Sequence, residues 1–209
     1  MTEQDLPATD EDLPPTEQAT VLTTPRLRLR EFTKDDVDAL VELDADPEVM
    51  RFLTGGKPTP LEEVRDEVLP KLLREYALFP GFGRWAANEK ATGQFLGWFG
   101  LRSAERIGPG CATLGYRLRR AAWGRGLATE GSRALLAKAF TELGVQRVSA
   151  DTMAVNERSR RVMEKAGLTF VRNYHEYFPD PIPGTEHGEV EYAVTKVEWL
   201  RRFGQANPR

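Results

Sequence analysis

The sequence predicts an α/β protein with a mixed β-sheet flanked by helices, and three observations lead to this prediction. Segments that alternate polar and apolar residues, typical of strands, recur between segments with apolar residues three or four positions apart, typical of helices. Near the middle of the chain, a strand, a glycine-rich turn, a helix, a second strand and a second helix follow one another. The length of 209 residues suits one domain with a single large core.

The first 20 residues differ in composition from the rest of the chain. They contain six acidic residues and three prolines but no basic residue. Such a segment buries too little apolar surface to offset the entropy that it would lose on ordering. Residues 1–20 are therefore expected to be a disordered acidic tail, and residues 21–203 are expected to form the folded domain.

The first elements after the tail are a strand and two helices. "RLRLREF", residues 26–32, alternates polar and apolar side chains and predicts a half-buried strand. Thr33 follows as an N-cap, so a helix is expected from there to about Asp46. A second helical pattern covers residues 60–79. Pro70 is expected to kink or break it, because proline lacks an N–H and its ring clashes with the preceding turn.

The strands of the middle and the end of the chain follow from the same patterns. "RWAANEK" and "QFLGWFGLRS", residues 84–90 and 94–103, predict a hairpin with a short turn between them. "ATLGYRLRR" predicts the strand before the glycine turn, and Gly144 ends the helix after it. The remaining elements are a strand at 145–153, a helix at 156–167, and strands at 168–178 and 189–195.

The glycine turn "AAWGRGLATEG", residues 121–131, places two glycines just before the central helix. The first N–H groups of a helix have no partner within the helix, and the helix dipole adds positive potential there. Amides from Gly124 to Thr129 are therefore suited to surround a pyrophosphate, with Arg125 as a charged partner. A tight strand-to-helix turn without a ligand would also use two glycines, so this stretch alone leaves both interpretations open.

A dinucleotide-binding turn is a third interpretation, and it would imply a nicotinamide-dependent oxidoreductase. Gly124, Gly126 and Thr129 approximate the G-x-G-x-x-G pattern of such turns. However, Thr129 stands where close packing needs the smallest residue. The preceding strand also alternates polar and apolar residues, whereas a buried parallel strand is continuously apolar. Both features disfavour this interpretation.

Two motifs make the chain similar to a known family. "WGRGLA" resembles the acyl-CoA-binding pattern Gln/Arg-x-x-Gly-x-Gly/Ala of the GNAT superfamily of N-acetyltransferases, with Trp123 replacing the leading polar residue. "NERSRRVMEKAGLTF", residues 156–170, resembles the Asn-x-x-Ser…Glu-Lys-x-Gly-Phe segment of the branch that acetylates ribosomal-protein amino termini. The likeness covers nearly all of residues 21–203. It implies an acyl-CoA N-acyltransferase domain, with a GNAT-like mixed sheet and a splayed central strand pair.

The resemblance implies a coenzyme site at the positions that match the family's motifs. In the family, the strand before the glycine turn is splayed from its neighbour, which leaves backbone groups free to pair with pantetheine. The glycine turn holds the pyrophosphate, and an asparagine at the start of the next helix bonds pantetheine or the amine. The implied residues for acetyl-CoA are Tyr116, Arg117, Leu118, Gly124, Arg125, Gly126, Leu127, Ala128, Thr129 and Asn156.

The resemblance also implies three catalytic residues: Asp151, Asn156 and Ser159. Ser159 matches a group near the thioester sulfur, where a hydroxyl can protonate the leaving thiolate. Another branch uses a tyrosine for this step, but that position is Met163, which has no proton to donate. Ser159, a water or no acid at all therefore stay open. Asn156 is equally suited to be the N-cap of its helix.

A base is needed because an amine must be neutral to attack. Asp151 lies five residues before Asn156, where the ribosomal-protein alanine acetyltransferases have a catalytic glutamate, and the shorter aspartate is expected to act through a water. Arg147 shares a strand face with Asp151, so an exposed ion pair between them is the alternative. His175 and His187 are further candidates, because an imidazole titrates near neutral pH.

Three arginines lie in the helix that Asn156 opens, and they are Arg158, Arg160 and Arg161. They are candidates to meet the 3′-phosphate of the coenzyme. A run of charges on a helix is more often a solvated face, so both interpretations stay open.

Composition limits the partners of the chain. The net charge of −3 argues against nucleic acid, which needs a basic face, and no apolar run approaches the ~20 residues of a membrane span. The single cysteine, Cys111, excludes an internal disulfide and fits the cytoplasm. No residues have the spacing of metal ligands. A homodimer stays open, because nothing in the sequence specifies the oligomeric state.

The function predicted is that of an acetyl-CoA-dependent N-acetyltransferase without a metal. It would transfer the acetyl group directly to a primary amine, either a peptide amino terminus or a small-molecule amine. The alternative is an acyl-CoA-binding sensor or scaffold that does not catalyse. Met163 and the unsettled base keep that alternative open.

Overall fold

An eight-stranded sheet with helices on both faces makes up the computed structural model, which describes residues 19–104 and 108–204. The predicted acidic tail, residues 1–20, lies outside the described residues except for its last two. The strands are β1 (Thr20–Thr23), β2 (Leu27–Arg30), β3 (Gly83–Glu89), β4 (Phe95–Ser103), β5 (Cys111–Leu118), β6 (Arg147–Met153), β7 (Thr169–Tyr174) and β8 (Glu189–Thr195). The first of them, β1, was not predicted.

The order of the strands is β1-β2-β3-β4-β5-β6-β8-β7. Neighbouring strands run antiparallel, except that β5 and β6 run parallel. This arrangement confirms the predicted mixed sheet, and the antiparallel β3–β4 pair confirms the predicted hairpin.

The helices are α1 (Val37–Asp44), α2 (Pro47–Met50), α3 (Leu61–Glu63), α4 (Leu69–Leu78), α5 (Leu127–Thr141), α6 (Glu157–Ala166) and α7 (Lys196–Phe203). Helix α7 was not predicted, although the sequence carries a signal for it. Thr195 and Glu198 form a capping box, the reciprocal pair of hydrogen bonds that a Thr-x-x-Glu sequence makes at a helix start.

The expectation that Pro70 kinks or breaks the helix is wrong, because the helix continues through Pro70 after a π-helical turn. Residues Val64–Val68 form a π-helical turn between α3 and α4, and the Leu69 N–H bonds the Val64 carbonyl five residues earlier. Pro70 has no N–H to give and its ring crowds the carbonyl four residues before it. A wider turn relieves that crowding, so the helix passes through the proline.

Two apolar clusters lie on opposite faces of the sheet, and β3 contributes to both. Trp85 and Ala87 pack in the larger cluster with residues of α5 and α6, whereas Ala86 between them packs with residues of α1 and α4. This alternation is the period of two that a strand imposes on its side chains. Helices α5 and α6 therefore cover one face of the sheet, and α1 and α4 cover the other.

The parallel pair at the centre of the sheet is splayed, as predicted. Three registered pairs, from Cys111–Arg147 to Thr113–Ser149, join β5 to β6. Both strands continue beyond that point, β5 to Leu118 with β4 still paired to it. The two strands thus diverge toward their carboxyl ends, which lead into α5 and α6.

Candidate active site

The glycine turn opens α5 with two residues in the left-handed region. Gly124 has φ 72° and Gly126 has φ 77°, and Gly126 is the N-cap of α5. Among the described residues, a Cβ built at Gly124 would meet no atom within 4 Å, and one built at Gly126 would meet only Nη2 of Arg26, at 3.6 Å. The turn therefore has open space beside it, and glycine is the residue that adopts this backbone without strain.

The arginine inside the turn is engaged with a carboxylate. The Arg125 guanidinium forms an ion pair with Glu89 at the end of β3. Arg26 forms a second ion pair with Glu130 in the first turn of α5, at 2.7 Å, and its Nη1 donates to the Arg125 carbonyl at 2.8 Å. Residues of β3 and of the segment before β2 therefore stabilise the backbone of the turn. Arg26 and Glu130 were not predicted as part of the site.

The splayed part of β5 carries the three residues expected to pair with pantetheine. The side chain of Arg117 points toward α1 and forms an ion pair with the buried Asp44. The carbonyl of Leu118 accepts a hydrogen bond of 2.8 Å from the indole N–H of Trp123. Tyr116 lies on the opposite face of the strand from Arg117, toward α6.

Tyr116 makes a contact that the sequence analysis missed. Its hydroxyl lies 3.0 Å from Oγ of Ser159, in the first turn of α6, and its ring lies 6.1 Å from that of Phe99. Burial raises the pKa of the Tyr116 phenol to about 12, against the lowering effect of the Ser159 hydrogen bond. The phenol thus stays protonated near neutral pH. The alternation along the strand does indicate that Tyr116 and Arg117 lie on opposite faces. The contact between Tyr116 and Ser159, 43 residues later, has no local signal in the sequence.

Asn156 is the N-cap of α6, which confirms that part of its prediction. Its Oδ1 accepts a hydrogen bond from the Ser159 N–H at 3.2 Å, and its Nδ2 donates to Oγ1 of Thr152 at 3.0 Å. Both ends of the amide are thus engaged within the protein. Met163, one turn after Ser159, is buried in the larger apolar cluster.

Asp151 lies on β6 with its carboxylate surrounded by polar groups of β7 and β8. The Tyr174 hydroxyl donates to Oδ1 of Asp151 at 3.1 Å. Asp151 is an exposed residue, but partial desolvation of its carboxylate raises its pKa, and the negative charges of Glu191 and Glu176 raise it further, against the lowering effects of Tyr174 and Arg172. A carboxylate with a raised pKa holds a proton more strongly than an ordinary aspartate does.

The expected alternative for Asp151, an ion pair with Arg147, is wrong. Arg147 pairs with Glu191 at 2.6 Å, and Arg172 pairs with the other oxygen of Glu191 at 2.7 Å. Glu191 lies on β8 directly opposite Asp151, so it competes for the same cations from the neighbouring strand. Two arginines are therefore drawn to Glu191.

A cavity of about 530 Å³ lies beyond the end of β6, between two loops. One loop follows α2 and the other precedes β8. The lining residues include Glu48, Arg51, Phe52, Val155, Glu186 and His187. Val155 directly precedes the N-cap of α6, so the cavity adjoins the segment that carries Asn156 and Ser159. His175 contacts the second loop through the Glu186 carbonyl, 3.3 Å from its Nε2.

Within residues 19–104 and 108–204, no cluster of three or more His, Cys, Asp or Glu side chains is arranged to hold a metal ion. The helices of the same residues include none with the length and apolar character needed to cross a bilayer.

The fold described above is also the fold of solved acetyltransferase structures. The solved structure of RimL, the ribosomal L7/L12 alpha-N-protein acetyltransferase in complex with coenzyme A, superposes with a TM-score of 0.72. The identity is 18%, and the match covers 85% of this chain and 98% of that one. At that identity the likeness concerns the fold.

The family follows from sequence. The family model described as an acetyltransferase (GNAT) domain matches residues 26–169, more than half of the chain. The FsC-acetyl coenzyme A-N(2)-transacetylase of Aspergillus fumigatus is 36% identical over 186 residues, which are 86% of this chain and 78% of that protein. The putative ribosomal N-acetyltransferase YdaF of Bacillus subtilis is 28% identical over 142 residues, 68% of this chain and 74% of that protein. The chain belongs to the GNAT acetyltransferase family and is an N-acetyltransferase.

Proposed function

We propose that this N-acetyltransferase uses acetyl-CoA and transfers the acetyl group directly to a primary amine. The observation that carries the proposal is the splay between β5 and β6, which opens beside a glycine turn with space around it. A pantetheine chain fits such a gap as an added strand, and a pyrophosphate fits the amides at the start of α5. Residues 21–203 would form this transferase domain.

The coenzyme-binding residues are those of the splayed strand and the turn. Backbone groups of Tyr116–Leu118 would pair with pantetheine, except that the Leu118 carbonyl already accepts a bond from Trp123. The amides of Gly124–Thr129 would surround the pyrophosphate. Arg125 contributes through its backbone, because its side chain is paired with Glu89.

Asp151 is the proposed base. In the transfer, the amine nitrogen bonds the thioester carbon, the carbon–sulfur bond breaks, and the amine loses a proton. The raised pKa of Asp151 suits the uptake of that proton, directly or through a water. Tyr174 orients the carboxylate through its hydrogen bond.

Ser159 and Tyr116 are the proposed source of the proton for the leaving thiolate. The Ser159 hydroxyl can give its proton to sulfur, and Oγ then regains a proton from solvent, while the Tyr116 hydroxyl donates a hydrogen bond to Oγ of Ser159. Ser159 touches the reacting atoms in this scheme, and Tyr116 positions it. Asn156 holds the first turn of α6 in place, because it bonds the Ser159 N–H.

The cavity beyond β6 is the proposed acceptor site. Glu48 and Glu186 line it and Glu189 begins the strand that follows, and these carboxylates favour a cationic amine. Burial raises the pKa of Glu189, and the charges of Glu176 and Asp151 raise it further. A group of carboxylates with raised pKa values attracts ammonium groups, since a cation relieves their mutual repulsion. Peptide amino termini and small-molecule amines both meet this requirement. The names of two relatives agree with this range of acceptors: one is an N(2)-transacetylase and the other a putative ribosomal N-acetyltransferase.

The test is the release of free thiol from acetyl-CoA with a panel of amines. The panel contains a polyamine, peptides with free amino termini, and a neutral and an anionic amine. The proposal expects release that depends on an added amine and is faster with cationic acceptors than with anionic ones. Binding of acetyl-CoA without amine-dependent release from any member would favour the sensor instead.

A further inference from the structure

Arg158 and Trp123 connect the glycine turn to α6. The guanidinium carbon of Arg158 lies 5.1 Å from the centroid of the Trp123 ring, within the range of a cation–π contact. Trp123 directly precedes Gly124, and its indole N–H is held by the Leu118 carbonyl. Arg158 lies in the first turn of α6. The contact thus brings a positive charge from α6 to the edge of the turn that opens α5.

The other arginines around the turn and in the start of α6 have partners. Arg125 pairs with Glu89, Arg26 pairs with Glu130, and Arg161 pairs with Glu157. In the part of the chain that the structure describes, no carboxylate lies within 4 Å of the Arg158 guanidinium. Arg158 is also exposed. Its hydrogen-bond donors are therefore available to an anion.

Trp123 stands where the family pattern has a glutamine or an arginine, so the turn itself lacks that polar side chain. We infer that Arg158 binds a phosphate group of the coenzyme and supplies, from α6, the donor that Trp123 removes. This inference rests on the proposed use of acetyl-CoA. A guanidinium that lies over an indole ring does not use its N–H groups in that contact, so they can form paired bonds to phosphate oxygens.

The experiment compares Arg158→Ala with Arg161→Ala, a matched control on the same helix. Calorimetry measures the affinity of each protein for acetyl-CoA, for 3′-dephospho-acetyl-CoA and for acetyl-pantetheine, which has neither the 3′-phosphate nor the pyrophosphate. Arg158→Ala is expected to weaken acetyl-CoA binding by about tenfold, since a charge-assisted hydrogen bond is lost. Acetyl-pantetheine binding should change by less than about twofold. Arg161→Ala should leave all three affinities within about twofold, because its guanidinium is paired with Glu157.

The affinity for 3′-dephospho-acetyl-CoA shows which phosphate group Arg158 binds. An equal loss with 3′-dephospho-acetyl-CoA assigns Arg158 to the pyrophosphate, and a loss confined to acetyl-CoA assigns it to the 3′-phosphate. Unchanged acetyl-CoA affinity in a folded Arg158→Ala, or an equal loss for acetyl-pantetheine, would overturn the inference. If the unmodified protein binds none of the ligands, the proposed use of acetyl-CoA fails as well. Thermal melts establish folding of both variants.

Discussion

At the scale of single residues, the proposed base, Asp151, lies among other carboxylates. Asp151 lies directly opposite Glu191 on the neighbouring strand. Partial desolvation raises its pKa, and the charges of Glu191 and Glu176 raise it further. Asp151 was predicted as the base because its position five residues before Asn156 matches a catalytic glutamate of the family it resembles. It could not find the surroundings, because Tyr174 and Glu191 reach Asp151 through strand register rather than through nearby sequence.

Asp151→Asn tests the base. The amide keeps the size of the side chain and an acceptor for Tyr174, but it cannot take up a proton. Turnover is expected to fall by roughly 10²- to 10⁴-fold with acetyl-CoA affinity little changed. The loss should shrink as pH rises from 6 to 10, because more of the amine is then neutral in solution. Turnover at each pH, measured for both proteins, checks this.

Stability provides the control for that variant. The folded state raises the pKa of Asp151, so ionisation of this group opposes folding as pH rises above the pKa of the unfolded chain. The variant should therefore be at least as stable as the unmodified protein at pH 7. Parallel pH profiles with less than about a threefold loss of turnover would instead assign the base to a water chain or to His175.

Tyr116→Phe tests the positioning of Ser159. The ring stays against Phe99, and the hydrogen bond to Ser159 is lost, so kcat is expected to fall by about 3- to 10-fold with little change in KM. In a Ser159→Ala background the same change should have no further effect. Tyr192→Phe is the matched control, because its buried hydroxyl also bonds α6, at Glu164. An equal fall in kcat for both tyrosine variants would show a structural effect only.

At the scale of elements, the turn before α5 has a local signal in the sequence, whereas the splay was predicted only through the family resemblance. Two glycines before an apolar helical pattern are a local signal, and both have positive φ. The divergence of β5 and β6 depends on a parallel pairing between segments more than 30 residues apart, and such a pairing leaves no local pattern. The π-helical turn before Pro70 likewise could not be predicted from local sequence, because the surrounding contacts determine how a helix accommodates proline.

Gly126→Val tests the turn as an anion site. A β-branched residue at φ 77° is strained, and its side chain would occupy the open space beside the amides. Gly144→Val is the control, because Gly144 has φ 69° and open space but lies after the other end of α5. Each variant should lose about 1–2 kcal/mol of unfolding free energy. Calorimetry should show that only Gly126→Val loses acetyl-CoA binding. Retained affinity in folded Gly126→Val would remove the turn from the coenzyme site.

At the scale of the whole molecule, the splay lies between the region of Tyr116 and Ser159 and the region of Asp151 and the cavity. Tyr116 and Ser159 lie on the face that α5 and α6 cover, whereas Arg117 reaches Asp44 of α1 on the opposite face. Asp151 and the cavity lined by loops after α2 and before β8 lie at the carboxyl end of β6. In the proposed scheme, the coenzyme reaches the splay from one region and the amine from the other. The acetyl group then passes between them without a covalent enzyme intermediate.

Mass spectrometry after reaction with isotopically labelled acetyl-CoA is the most direct test of this scheme. With a cationic amine present, the label should appear on the amine nitrogen, with one molecule of free thiol released for each molecule acetylated. With the amine left out, the mass of the protein should stay unchanged. A labelled protein, or thiol release without an acetylated amine, would contradict direct transfer.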